Sequence, residues 1–147
     1  MKSTTNVYKN KLKRSKIIYG DFRQTVPKFI KEKGFAPIAS LFNDADYFSS
    51  TKSSLEILNQ ENKLPKIFLY FDDLNFSSSY TGELGAINDY NKVNETKIEP
   101  IPEFAETLSV YWKKWAFLGK RFYIHHDFNH KKYDSRYINP LYKNLDD

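Results

Sequence analysis

The chain of 147 residues and 17.4 kDa has room for one domain with a core and too little for two ordinary ones. With 40% hydrophobic and 28% charged residues and no cysteine, it is neither a disordered chain nor a disulfide scaffold, and it holds no thiolate metal centre or cysteine nucleophile. The net charge of +5 is concentrated in residues 1–33, with ten Lys/Arg against two Asp/Glu, which is not the spread expected of a nucleic-acid-binding body.

Residues 1–15 form a basic segment expected to be poorly ordered, and residues 16–147 one domain. A phosphate contact and a merely solvated terminus both fit that charge. The first element expected is a short strand at 15–19, where Ile17, Ile18 and Tyr19 favour β structure and Gly20 ends the run. Phe22, Val26, Phe29 and Ile30 recur at helical spacing and predict a helix over 21–33, with Pro27 in its first turn and Gly34 as the stop. Residues 37–42 read as a strand buried on both faces. Leu55, Ile57 and Leu58 mark a helix over 49–62, and 64–71 is a second buried strand. A helix is expected over 81–94 and a weak strand at 98–101, pushed to an edge by Pro100 and Pro102. Residues 104–118, with Trp112 and Trp115, fit a helix or a meander, and 120–126 a last strand. The eleven Tyr and twelve Phe read as core and interface packing rather than as platforms for bases.

Strands alternating with helices predict an open α/β sheet, in which ligands bind beyond the carboxyl ends of the strands. Chemistry gathers there: Gly20-Asp21, Asp44-Ala45-Asp46 and Asp72-Asp73 each follow a strand directly. Carboxylates at adjacent strand ends repel one another, and an oxygen-only donor set suits a hard cation such as Mg²⁺. The same acids can instead cap the helices that follow. Asp-x-Asp after a strand also fits a metal-dependent glycosyltransferase or a phosphatase with an aspartyl nucleophile, although the residues between and after the acids fit these less well. His125-His126-Asp127-Phe128-Asn129-His130 suggests a substrate-facing end, while for any one of these histidines a satisfied structural role is the preferred reading.

Taken in order, Ile18-Tyr19-Gly20-Asp21-Phe22, Ala36-Pro37-Ile38, Asp44-Ala45-Asp46-Tyr47-Phe48-Ser49-Ser50-Thr51, Phe71-Asp72-Asp73 and Gly82-Glu83-Leu84-Gly85-Ala86-Ile87 resemble the C-terminal part of class I S-adenosylmethionine-dependent methyltransferases. Within that class they are most similar to the macrocin-type sugar O-methyltransferases. The resemblance implies a partial Rossmann-like sheet, mostly parallel with its last strand antiparallel, and flanking helices. It implies that Asp44, Asp72 and Asp73 bind Mg²⁺, that Asp46 is the general base, and that Asp21 lies near the adenine of S-adenosylmethionine. The acceptor it implies is a sugar-like small molecule, and the location expected is cytoplasmic, with no nucleic-acid or membrane partner. The family's opening strand and Gly-rich turn have no counterpart here, so the chain reads as truncated or split. Its missing half would come from a second chain or a homodimer, or the chain is an inactive remnant or a metal- or sugar-binding module. The strand at 17–19 would then lack its neighbour. Asn43 stands where the family has an apolar or aromatic residue and is expected to loosen the strand end.

Overall fold

The computed structural model describes residues 17–32, 36–111 and 116–133. Among them, helix α1 (Phe22–Lys31) precedes strand β1 (Ile38–Asn43) and helix α2 (Phe48–Leu55). A 3-10 turn (Glu56–Asn59), strand β2 (Lys63–Phe71) and a second 3-10 turn (Leu74–Phe76) lead to helix α3 (Gly82–Val93). Strand β3 (Lys97–Pro100), helix α4 (Pro102–Tyr111), the one-turn helix α5 (Ala116–Gly119) and strand β4 (Phe122–His126) complete the order. The expected basic segment 1–15, the stop at Gly34, and Trp112 and Trp115 lie outside the described residues.

The result is an α/β sheet of four strands in the order β1-β2-β4-β3. β1 and β2 run parallel, and β4 runs antiparallel to both β2 and β3. The last strand is therefore the reversed one, inserted between β2 and β3. One sheet face is packed by α2 and α3. Ile67, Leu69 and Phe71 of β2, Tyr123 of β4 and Ile98 of β3 meet Leu55, Leu58, Ile87 and Tyr90 there, and Phe71 lies edge-on to Tyr123 at 5.5 Å. Burying each large apolar side chain contributes on the order of 1.5–3 kcal/mol, so this layer is the main source of stability. The opposite face carries an aromatic ladder of Phe42, Phe68, Tyr70 and Phe122, joined by Phe104 of α4.

Several expectations change. Residues 17–19 form no strand, and Ile17, Ile18 and Tyr19 are exposed, because none of the described residues offers them a ladder. Pro27 sits inside α1, in its second turn, since Asp21 caps the helix one residue before Phe22. β1 is not buried on both faces. It is an edge strand, and Ala39, Ser40 and Phe42 are exposed. β2 alternates: Pro65, Ile67, Leu69 and Phe71 are buried, while Phe68 and Tyr70 are half-buried. The helix expected over 49–62 ends at Leu55 and tightens into a 3-10 turn, after which the Gln60 side chain holds the backbone of Asn62 and diverts the chain into β2. Among the described residues, no helix is long and apolar enough to cross a membrane.

Candidate metal and substrate site

β1 and β2 end side by side, and the Asp72 amide donates to the Asn43 carbonyl at 3.0 Å, which carries the ladder one step past the strands. Beyond Asn43 the chain turns around Ala45, whose side chain is buried and whose carbonyl accepts from Thr51 Oγ1 at 2.9 Å. With Ala45 anchored inward, Asp44 and Asp46 on either side are left exposed. Asp73 comes up beside them from the end of β2, so carboxylate oxygens of Asp44, Asp46 and Asp73 lie within 4.8 Å of one another. A hydrogen bond with Asp46, then burial and the neighbouring carboxylates, holds the Asp73 pKa above the usual range. Three oxygen donors in this span fit a hard divalent cation, and a cation would relieve the repulsion that now favours protonated Asp73.

Asp72 is placed differently. Its carboxylate pairs with Arg121 at 2.5 Å and accepts from the Tyr70 hydroxyl at 2.7 Å, and Arg121 donates to the same hydroxyl at 3.0 Å. Because β4 is antiparallel, Arg121 at its start stands beside the carboxyl end of β2. The structure thus brings Asp44, Asp46 and Asp73 together and gives Asp72 a separate partner.

Beneath this surface, Asn43 does not loosen the strand end. It is buried, donates to Glu83 Oε1 at 2.7 Å and to Thr51 Oγ1 at 3.3 Å, and accepts from the Ser54 hydroxyl at 2.5 Å. An apolar residue there could not tie β1 to both α2 and α3. Glu83 is fully buried at the start of α3, with Oε2 unpartnered, and burial pushes its pKa up to about 7 against the lowering effect of Asn43. The turn into α3 depends on Gly82, at φ +57°, where a Cβ would collide with Ser77. That close approach lets Ser77 Oγ accept from the Glu83 amide at 2.9 Å and cap the helix. The pattern reading missed Glu83. Its signal was spacing, because Glu83, Ile87 and Tyr90 share the buried face of one helix.

Asp21 lies apart from the trio. It caps α1 through the Arg23 amide at 2.9 Å and pairs with the Arg23 side chain at 2.5 Å, and that hydrogen bonding lowers its pKa. With Gly20, Phe22, Arg23, Ser49 and Ser50 it lines an open cleft of about 400 Å³, within the range of ligand sites and ample for a nucleoside-sized group.

The histidines face the other pole. β4 is reversed, so His125 and His126 pair with Ile67 and Lys66 at the beginning of β2. His125 is buried against Tyr90, whose hydroxyl lies 3.2 Å from Nε2. His126, on the opposite face, lies 2.8 Å from the Tyr133 hydroxyl and 2.8 Å from Glu99. The direction of the strand carries residues 125–130 away from the acidic trio, and the burial of His125 against Tyr90 fits the structural reading of that histidine. No family model, no curated protein and no solved structure matches the chain.

Proposed function

We propose that this chain is the metal- and acceptor-binding part of a class I S-adenosylmethionine-dependent O-methyltransferase, acting on a hydroxyl of a sugar or another small molecule with Mg²⁺. The observation that carries the reading is the convergence of Asp44, Asp46 and Asp73 at the carboxyl ends of two adjacent parallel strands, where open α/β sheets bind ligands. The reversed last strand, inserted into an otherwise parallel sheet, supports the partial Rossmann-like architecture that the motifs imply.

When bound, S-adenosylmethionine supplies an electrophilic methyl group, and Mg²⁺ supplies a charge that favours the alkoxide form of the acceptor. Asp44 and Asp73 are the residues to hold the cation. Asp46, beside them and exposed, would accept the hydroxyl proton of an acceptor whose oxygen takes the methyl group from the sulfonium sulfur. Asp72 steers Arg121 rather than the cation. Asp21, Ser49 and Ser50 would line the cofactor cleft. Among the described residues nothing pairs with the outer edge of β1, so a further strand could add there beside the cleft.

The Asp21–Arg23 pair favours a second reading, a metal- and sugar-binding module that no longer uses the cofactor, because the acid is already engaged. Calorimetric titration with S-adenosylhomocysteine in Mg²⁺ separates the two. The methyltransferase reading expects a dissociation constant of about 1 mM or tighter, weakened about tenfold by Asp21→Ala. Absence of heat from a folded chain would contradict it.

A further inference from the structure

A second cavity opens at the same pole of the sheet. Leu74, Leu84, Ile101, Ala105 and Tyr123 line about 410 Å³ of space, and the polar residues of the lining are Asn75 and Lys120. The walls come from the 3-10 turn after β2, the start of α3, the end of β3, and α4 with α5. Gly119 lets the α5 backbone lie directly on Ala105, where a Cβ would collide, so these two helices form one continuous wall. The space is partly open to solvent at Asn75, Pro100, Pro102 and Lys120, and its volume falls in the range of small-molecule sites. A lining so poor in polar groups gives water few partners and favours an apolar occupant.

The cavity's place in the chain ties it to the acidic trio. Leu74 directly follows Asp73, and Leu84 directly follows Glu83. We propose that this cavity receives an apolar ring system borne by the hydroxyl-carrying acceptor, so that one face of the ring lies on the apolar lining while its hydroxyl reaches the acidic side of the pole. The proposal rests on the methyl-acceptor reading above and narrows it, since a free sugar leaves this cavity empty.

The test uses 2-naphthol as the probe, titrated into the ¹⁵N-labelled full chain in EDTA so that no cation takes part. Amide shifts at Leu74, Asn75, Leu84 and Ile101, with a dissociation constant of about 1 mM or below, are expected. Leu84→Trp, which fills the cavity, should weaken binding at least about tenfold. Asn75 is exposed, so Asn75→Trp narrows the opening without disturbing the core, and it should do the same while Mg²⁺ affinity stays at the wild-type value. Absence of shifts at these amides, or naphthol affinity unchanged in a folded Asn75→Trp chain, would overturn the proposal. Because the titration excludes the cation, such a failure leaves the acidic trio standing, and a failure of the trio to bind Mg²⁺ leaves the naphthol result intact.

Discussion

Asp73→Asn is expected to weaken Mg²⁺ binding by about a hundredfold or more, measured by calorimetry, while Asp72→Asn shifts it by about threefold at most. The first substitution removes one of three carboxylates that lie within 4.8 Å of one another. It spares the fold, because Asp73 serves the turn through its backbone: its carbonyl accepts from the Phe76 amide at 2.9 Å and from the Ser77 hydroxyl at 3.3 Å. The second removes a charge that Arg121 already neutralises at 2.5 Å. With the Asp72 side chain 44% exposed, losing that pair should cost no more than about 1 kcal/mol of stability. The motif resemblance assigns both acids to the cation and the geometry favours one, so the two variants discriminate between them. Loss of Mg²⁺ binding in Asp72→Asn with retention in Asp73→Asn would overturn the geometric assignment.

The dependence of stability on pH should be nearly flat between pH 4.5 and 6.5, and single substitutions should tilt it in opposite directions. Burial raises Glu83 from 4.5 to about 7, so its contribution is greatest below pH 4.5 and is lost as pH rises to 7. Burial, aided by Lys63, depresses His125 from 6.5 to about 4, so its contribution is full above pH 6.5 and is lost as pH falls to 4. Each excursion amounts to about 3 kcal/mol at roughly 1.4 kcal/mol per pH unit, and over the shared window the slopes have opposite sign. Glu83→Gln keeps an acceptor for Asn43 and removes the charge. In EDTA it should gain about 3 kcal/mol, relative to wild type, as pH rises from 4.5 to 7, and it should expose the rising His125 slope. His125→Gln should expose the falling Glu83 slope instead. Urea unfolding at half-unit pH steps measures both, and a Glu83→Gln profile parallel to wild type would mean that Glu83 is ionised in the fold across this range.

Local pattern was enough for the elements that bury a face. β2, α3 and β4 fall within two residues of their expected bounds, because apolar spacing reports directly on which side chains leave water. It failed where the partner decides. Pro37–Phe42 has the composition of a central strand, yet none of the described residues pairs with the outer edge of β1, and while Ile38 and Leu41 pack on the core, Pro37, Ala39 and Phe42 stand exposed. Ile17–Tyr19 has strand propensity but no ladder to join. The acidic trio was visible as acids after strands, but how the four acids divide was not. That division depends on Arg121, about fifty residues downstream, and on β4 running antiparallel so that Arg121 arrives beside Asp72. The same reversal places the histidines at the far pole from the acids. Glu83 was legible in principle, as an acid on the apolar stripe of a helix, but an acid in a first turn reads equally well as a partner of the helix dipole.

The most direct test of the central claim, that the carboxyl ends of β1 and β2 hold a divalent cation, is paramagnetic. Substoichiometric Mn²⁺ added to the ¹⁵N-labelled chain should broaden the amides around Asp44, Asp46 and Asp73 first, leave those around His125 and His126 at the far pole sharp, and be reversed by excess Mg²⁺. Broadening that begins elsewhere, or spreads evenly over the acidic surface without reversal by Mg²⁺, would contradict the claim and remove the basis for a metal-assisted methyl acceptor site.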